Sequence, residues 1–125
     1  MTSEASQSGA PPARSEAFPR GVRLTSPRQF NRVFRHAAIR RRDGALRLSA
    51  VANRMHTARL GLVVGKRALP RAHERNRAKR TLRETFRRRR AALPAMDIVI
   101  QVTGDAASEA YRDSLLRLLD QLPES

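Results

Sequence analysis

A chain of 125 residues has room for one domain with one core and too little for two. With 26 Lys and Arg against 11 Asp and Glu its net charge is +15, which makes a polyanion the expected partner. Cysteine is absent, which removes disulfide frameworks, thiolate metal sites and thiol nucleophiles.

Residues 1–17 are rich in Ser, Ala, Pro and Gly and offer almost nothing to bury, so they read as a disordered tail before a single domain over residues 18–125. No apolar run follows a basic start, and no stretch approaches the roughly 20 apolar residues that span a bilayer. The expectation is a cytoplasmic protein without a membrane partner.

Ser26-Pro27 has the form of an N-cap followed by proline at the first helical position, and Phe30, Val33, Phe34 and Ala37 recur behind it at helical spacing, which predicts a helix over 27–36. Residues 37–42 read as a short strand, although three consecutive arginines obscure its alternation. Leu46, Leu48, Ala50 and Ala52 alternate with more polar neighbours, as in a strand with one buried face. Leu60 to Gly65 is apolar throughout, as in a strand covered on both sides, and with Asn53–Thr57 as the turn the two strands suggest an antiparallel hairpin.

From Ala72 to Ala92 there is neither Pro nor Gly, and Ala78, Leu82, Thr85, Phe86 and Leu93 share one face of the longest helix, which Pro94 stops. Asp97 to Val102 reads as a buried strand. Ser108 is placed to cap a last helix that buries Tyr111, Leu115, Leu118, Leu119 and Leu122. Helix, strands, long helix, strand, helix is the order of an α+β sandwich, helices packed against a small sheet.

Catalysis by the chain's own side chains would need a nucleophile with its base, paired carboxylates or a metal cage, and none is visible: His36, His56 and His73 are scattered. Gly61 and Gly65 flank a strand without opening a helix, unlike a phosphate loop. The charge instead concentrates in residues 66–90, which carry 12 basic and 2 acidic side chains. On a helical wheel Asn76, Lys79, Arg80, Arg83 and Arg87 gather on one flank of the apolar stripe, with Arg75 near its border. A solvated face would interleave more acid than Glu74 and Glu84 supply, so the flank calls for an external anion. Arginine forks onto phosphate and stacks on bases, and Asn76 adds a neutral donor and acceptor, which points to structured RNA. Phe30 and Phe34 either stack unpaired bases or pack in the core.

Arg75-Asn76-Arg77-x-Lys79-Arg80-x-x-Arg83 resembles the RNR signature of the bacterial ribonuclease P protein component. Pro27-x-x-Phe30-x-x-Val33-Phe34, Leu60-Gly61-Leu62-Val63-Val64-x-Lys66-Arg67 and Leu93-Pro94-Ala95-Met96-Asp97 extend the likeness, in order and spacing, over residues 18–122. The resemblance implies a fold like ribosomal protein S5 domain 2, with a left-handed βαβ crossover around the long helix. It also implies a protein that binds the catalytic RNase P RNA and helps it remove the 5′ leader of precursor tRNA, with Mg²⁺ held mainly by the RNA and no small-molecule substrate. By the same resemblance Arg75, Asn76, Arg77, Lys79, Arg80, Arg83 and, by continuation of the flank, Arg87 face the catalytic RNA. Phe30 and Phe34 border a leader cleft, and Lys66 and Arg67 lead into the crossover and join the leader set. Many relatives carry aromatics on the strand that here holds Leu46 and Leu48, which implies weaker stacking.

The rivals are a ribosomal or general RNA-binding protein, a DNA-binding regulator, and a protein-only nuclease. The first lacks the ordered combination of motifs, the second a short helix-turn-helix pair, and the third would need an acidic metal cluster.

Overall fold

Ser26 opens the first helix, α1 (Pro27–His36): its Oγ accepts from the Gln29 N–H at 3.3 Å while Gln29 Oε1 accepts from the Ser26 N–H at 3.0 Å. The computed structural model describes residues 22–123, so the tail expected over 1–17 lies outside the described residues. Four strands follow: β1 (Ile39–Asp43), β2 (Leu46–Ala52), β3 (Arg59–Val64) and β4 (Met96–Val102), the last apolar but for Asp97 and Gln101. Between β3 and β4 runs α2 (Ala72–Arg89), prolonged by a 3₁₀ turn at Arg90–Ala92, and α3 (Ser108–Leu119) ends the fold. This is the α+β architecture expected, three helices on a four-stranded sheet.

The strand order is β1-β2-β4-β3, with β2 antiparallel to both β1 and β4, and β3 parallel to β4. The expected β2–β3 hairpin is therefore absent, and β4 lies between the two strands. Six of the seven residues of β4 are buried, so it needs a strand on each edge and cover on each face. The centre of the sheet supplies both, and the 18-residue α2 provides the crossover that a parallel β3–β4 pair requires. Asn53–Thr57 does turn, with Asn53 Nδ2 donating to Thr57 O at 3.3 Å, but it links strands that do not pair. In consequence β3 is an edge strand. Leu60 and Gly61 are buried while Leu62, Val63 and Val64 are only half-buried, so the expectation of cover on both sides fails there.

Two apolar clusters sandwich the sheet. On one face Leu46, Leu48, Ala50, Leu60, Ile98 and Ile100 meet Ala78, Leu82 and Phe86 of α2 and Tyr111, Leu115 and Leu118 of α3. Both helical stripes are those the 3.6-residue spacing predicts. On the other face a smaller cluster of Leu24, Val33 and Val99, with Phe30, Val51 and Val63 against it, seats α1. Gly61 makes that seat possible, because a Cβ there would stand 2.7 Å from the Phe30 ring. Ser108 does not cap α3: Ala107 holds the N-cap position, and the Ser108 hydroxyl accepts from Arg77 Nη1 at 2.8 Å.

Candidate nucleic-acid interface

Cross-strand neighbours share a face, so the register sorts the α1 side of the sheet into rows. Arg59, Asp97 and Val51 form the first, Gly61, Val99, Ser49 and Arg40 the second, and Val63, Gln101, Arg47 and Arg42 the third. Helix α1 covers the middle through Phe30 and Val33 and leaves the Arg42–Arg47–Gln101 end open. There Phe34, 36% exposed, borders a groove of about 410 Å³ whose other walls are Arg40, Arg41, Arg42, Arg47, Leu48, Ser49 and Gln101. Arg40 Nη2 also donates to the Phe34 carbonyl at 2.9 Å, which ties the open end of α1 to β1.

Arg40, Arg42 and Arg47 were not singled out from the sequence. Arginine triplets hide alternation, and only the pairing of β1 on β2 tells which of Arg40, Arg41 and Arg42 turns to this face. Leu46 and Leu48 lie on the strand where the resemblance puts them, but not on its cleft face, so they do not bear on leader stacking. Both are buried against the helices on the opposite face, 0% and 1% exposed, and the cleft-facing residues of that strand are Arg47 and Ser49.

At the other end of the same face Asp97 is a buried carboxylate, its side chain 1% exposed. Arg59 Nε and Nη2 grip its two oxygens at 2.8 and 2.9 Å, Asn53 Nδ2 donates at 2.8 Å, and Arg32 Nη1 of α1 reaches it at 3.4 Å. Burial opposes its ionisation most strongly, but the hydrogen bonds from Arg59 and Asn53 and the charges of Arg59 and Arg32 outweigh burial and hold the carboxyl below its ordinary value.

Helix α2 divides the basic signature into two kinds of residue. Asn76 and Arg80 are exposed and Lys79 and Arg83 half-buried, and none of Lys79, Arg80 and Arg83 has a carboxylate within ion-pair distance among the described residues. Lys79 and Arg83 wall a depression beside Arg23, Thr25, Phe30 and Leu62, so Phe30 and Phe34 border different hollows on either side of α1. The remaining signature residues are engaged within the chain. Arg75 Nη1 donates to the carbonyls of Leu69 and Pro70, both at 2.9 Å, and fastens the loop before α2. Arg77 turns to α3, where it donates to Ser108 Oγ and the Ala106 carbonyl, pairs with Asp105 at 3.5 Å, and stands 6.0 Å from the Tyr111 ring centre. Arg87 pairs with Glu84 at 2.7 Å. Lys66 and Arg67 are exposed just past β3, at the end of the sheet that the open row occupies.

The groove between α2 and α3 is as rich in arginine but is matched with acid: Arg88 pairs with Glu84, Arg89 with Asp120 and Arg112 with Asp113. Hydrogen bonding by Arg87, opposed by burial and helped by the charges of Arg87 and Arg88, holds the Glu84 carboxyl below its ordinary value.

The family model for ribonuclease P matches residues 18–123. The ribonuclease P protein component of Halorhodospira halophila is 43% identical over 107 residues, covering 86% of this chain and 87% of the relative, and that of Escherichia coli K12 is 45% identical over 107 residues, covering 82% and 87%. Among solved structures, the RNase P protein of Thermotoga maritima superposes with a TM-score of 0.71 at 28% identity, covering 81% of this chain and 97% of that one. The RNase P protein of Staphylococcus aureus, at 24% identity, shares the fold with a TM-score of 0.73 over 79% and 93% of the two chains. Likeness over nearly the whole described domain, on a chain whose unpaired cations crest the signature helix, decides against a general RNA-binding protein: the chain belongs to the ribonuclease P protein component family.

Proposed function

We propose that the chain meets RNA through two surfaces, the crest of α2 for the catalytic RNase P RNA and the open sheet groove for the 5′ leader of precursor tRNA. Membership of the family makes it the protein component of the ribonuclease P holoenzyme, which serves tRNA 5′ processing. The observation that carries the two-surface reading is the distribution of acid. Cations on the crest and in the groove lack carboxylate partners among the described residues, so an external phosphate meets no internal competitor.

On the crest, Lys79, Arg80 and Arg83 contact phosphate and Asn76 reads a base edge or a 2′-hydroxyl. Arg75 and Arg77 support this face by fixing the loop before α2 and the start of α3. In the groove Phe34 offers a ring for one base, Arg42 and Arg47 hold the strand's phosphates, and Lys66 and Arg67 extend the path past β3. Phe30, pinned on Gly61, serves α1 more than the strand.

Mg²⁺ belongs to the RNA in this reading: no three His, Asp or Glu side chains cluster among the described residues, and buried Asp97 is already saturated by cations. No described helix is long and apolar enough to cross a membrane, and the cytoplasm, where precursor tRNA is made, is the proposed site of action.

Cleavage of precursor tRNA by the RNA alone, the protein alone and both together tests the assignment. The mixture should cut at lower salt and substrate concentrations than the RNA alone, and the protein freed of RNA should not cut. Cleavage by nuclease-treated protein would place the chemistry in this chain and overturn the reading.

A further inference from the structure

Asp97 is the one carboxylate among the buried described residues, and the two RNA surfaces leave it without a task. Its surroundings supply one. Arg59 from β3, Asn53 from the turn after β2, and Arg32 from α1 converge on it, and Arg32 Nη2 also donates to the Ala52 carbonyl at 3.1 Å. Arg32 lies midway between Phe30 and Phe34 on α1, a helix of only 10 residues whose one fully buried side chain is Val33. Val33 and Phe30 seat this short helix close to one line, and the Arg32 guanidinium, one nitrogen on the Asp97 carboxylate and the other on the Ala52 carbonyl, adds the anchor that sets its roll.

We propose that Asp97, through Arg32, is a positioning residue of the leader groove: it fixes the roll of α1 and thereby holds Phe34 over the open row of the sheet. The inference rests on the reading of that groove as the leader site. Asp97 touches no RNA in this arrangement. Row one of the sheet orients an aromatic that works beside row three, and the Arg40 hydrogen bond to the Phe34 carbonyl secures the other end of the helix.

Arg32 is the arm to cut, because Asp97 keeps its two bonds from Arg59 and its bond from Asn53 when Arg32 is gone, so folding is preserved. Holoenzyme reconstituted with Arg32→Met, Arg32→Lys, Phe34→Ala and the Arg32→Met/Phe34→Ala double variant is titrated with precursor tRNA and with mature tRNA. Phe34→Ala should weaken precursor binding about tenfold and leave mature tRNA unchanged. Arg32→Met should reproduce about half or more of that loss on a logarithmic scale, Arg32→Lys should fail to restore it, and the double variant should bind like Phe34→Ala alone. Additive losses, or full rescue by lysine, would mean that Arg32 meets the leader as a charge, and the inference falls while the groove reading stands. No leader-specific loss in Phe34→Ala overturns both.

Discussion

On the α2–α3 side of the molecule Arg77, Arg87, Arg88, Arg89, Arg112 and Arg117 each stand within 3.5 Å of a carboxylate, whereas on the α2 crest and the open sheet face Lys79, Arg80, Arg83, Arg42 and Arg47 have none among the described residues. Composition alone does not separate the two regions, since both are built of arginine. What separates them is where the few acids were placed. A guanidinium already paired with a carboxylate must give up that pair to neutralise a phosphate, while an unpaired one neutralises it outright, releasing counterions condensed on the RNA and gaining a charge-assisted bond. The paired side holds the helices to each other and to β1, and the unpaired side remains available for RNA.

The largest test of that division removes Arg80 and Arg83 together. Charge-assisted hydrogen bonds contribute about 1.5 to 3 kcal/mol each, so the double alanine variant should bind RNase P RNA at least about a hundredfold more weakly at moderate salt. The slope of log K against log salt should flatten by about 1.5 to 2 as two phosphate contacts go. Its melting temperature should stay near wild type, because neither side chain bonds a described neighbour. A matched loss of stability would show that the crest is structural after all.

Arg59→Ala should do the reverse. It leaves a carboxylate that is 1% exposed with only Asn53 and the longer Arg32 contact, which costs about 3 kcal/mol of folding free energy, read by denaturant titration. The crest should still bind RNA at permissive temperature. The same carboxylate gives a pH signature. Its folded value lies below the ordinary 3.8, so its contribution is fully present above that value and is lost as pH falls through the folded one. Wild-type melting temperature should therefore drop as pH is lowered past about 4, and Asp97→Asn, less stable at neutral pH, should show a shallower fall across the same window. Equal acid slopes in the two proteins would assign the transition to other carboxylates.

Helices announce themselves over short distances, and most of this molecule's helical structure was legible. The stripe Ala78, Leu82, Phe86 needs only the 3.6-residue period, and Ser26-Pro27 marks its own helix start. Strand order has no local signal. Nothing between Leu46 and Gly65 reveals that β4, more than 30 residues on, will come between β2 and β3. The site divides the same way. A wheel shows that Arg80 and Arg83 lie off the apolar stripe, because that is a property of one helix. It cannot show that Arg77 meets Ser108, 31 positions away, or that Arg47 and Arg42 stand side by side beneath Phe34, because those facts belong to the packing of α3 and the register of β1.

The smallest expected effect sharpens the comparison most, because it converts one kind of arginine into the other. Glu84 sits on α2 between the crest and the α3 groove and neutralises two cations at once, Arg87 at 2.7 Å and Arg88 at 3.3 Å. The pairs are exposed, so Glu84→Gln should leave the melting temperature close to wild type. It takes the acid from Arg88, 71% exposed on the edge of the RNA-facing crest. If unpaired charge is what makes a cation RNA-binding here, affinity for RNase P RNA should rise about two- to fourfold at low salt, and the salt dependence should steepen by up to about 1. Arg88→Ala in the wild-type background should by contrast change RNA affinity less than about twofold, because its charge is already compensated. An unchanged Glu84→Gln affinity, with a clear loss in Arg88→Ala, would mean that geometry and not the distribution of acid selects the arginines that meet RNA.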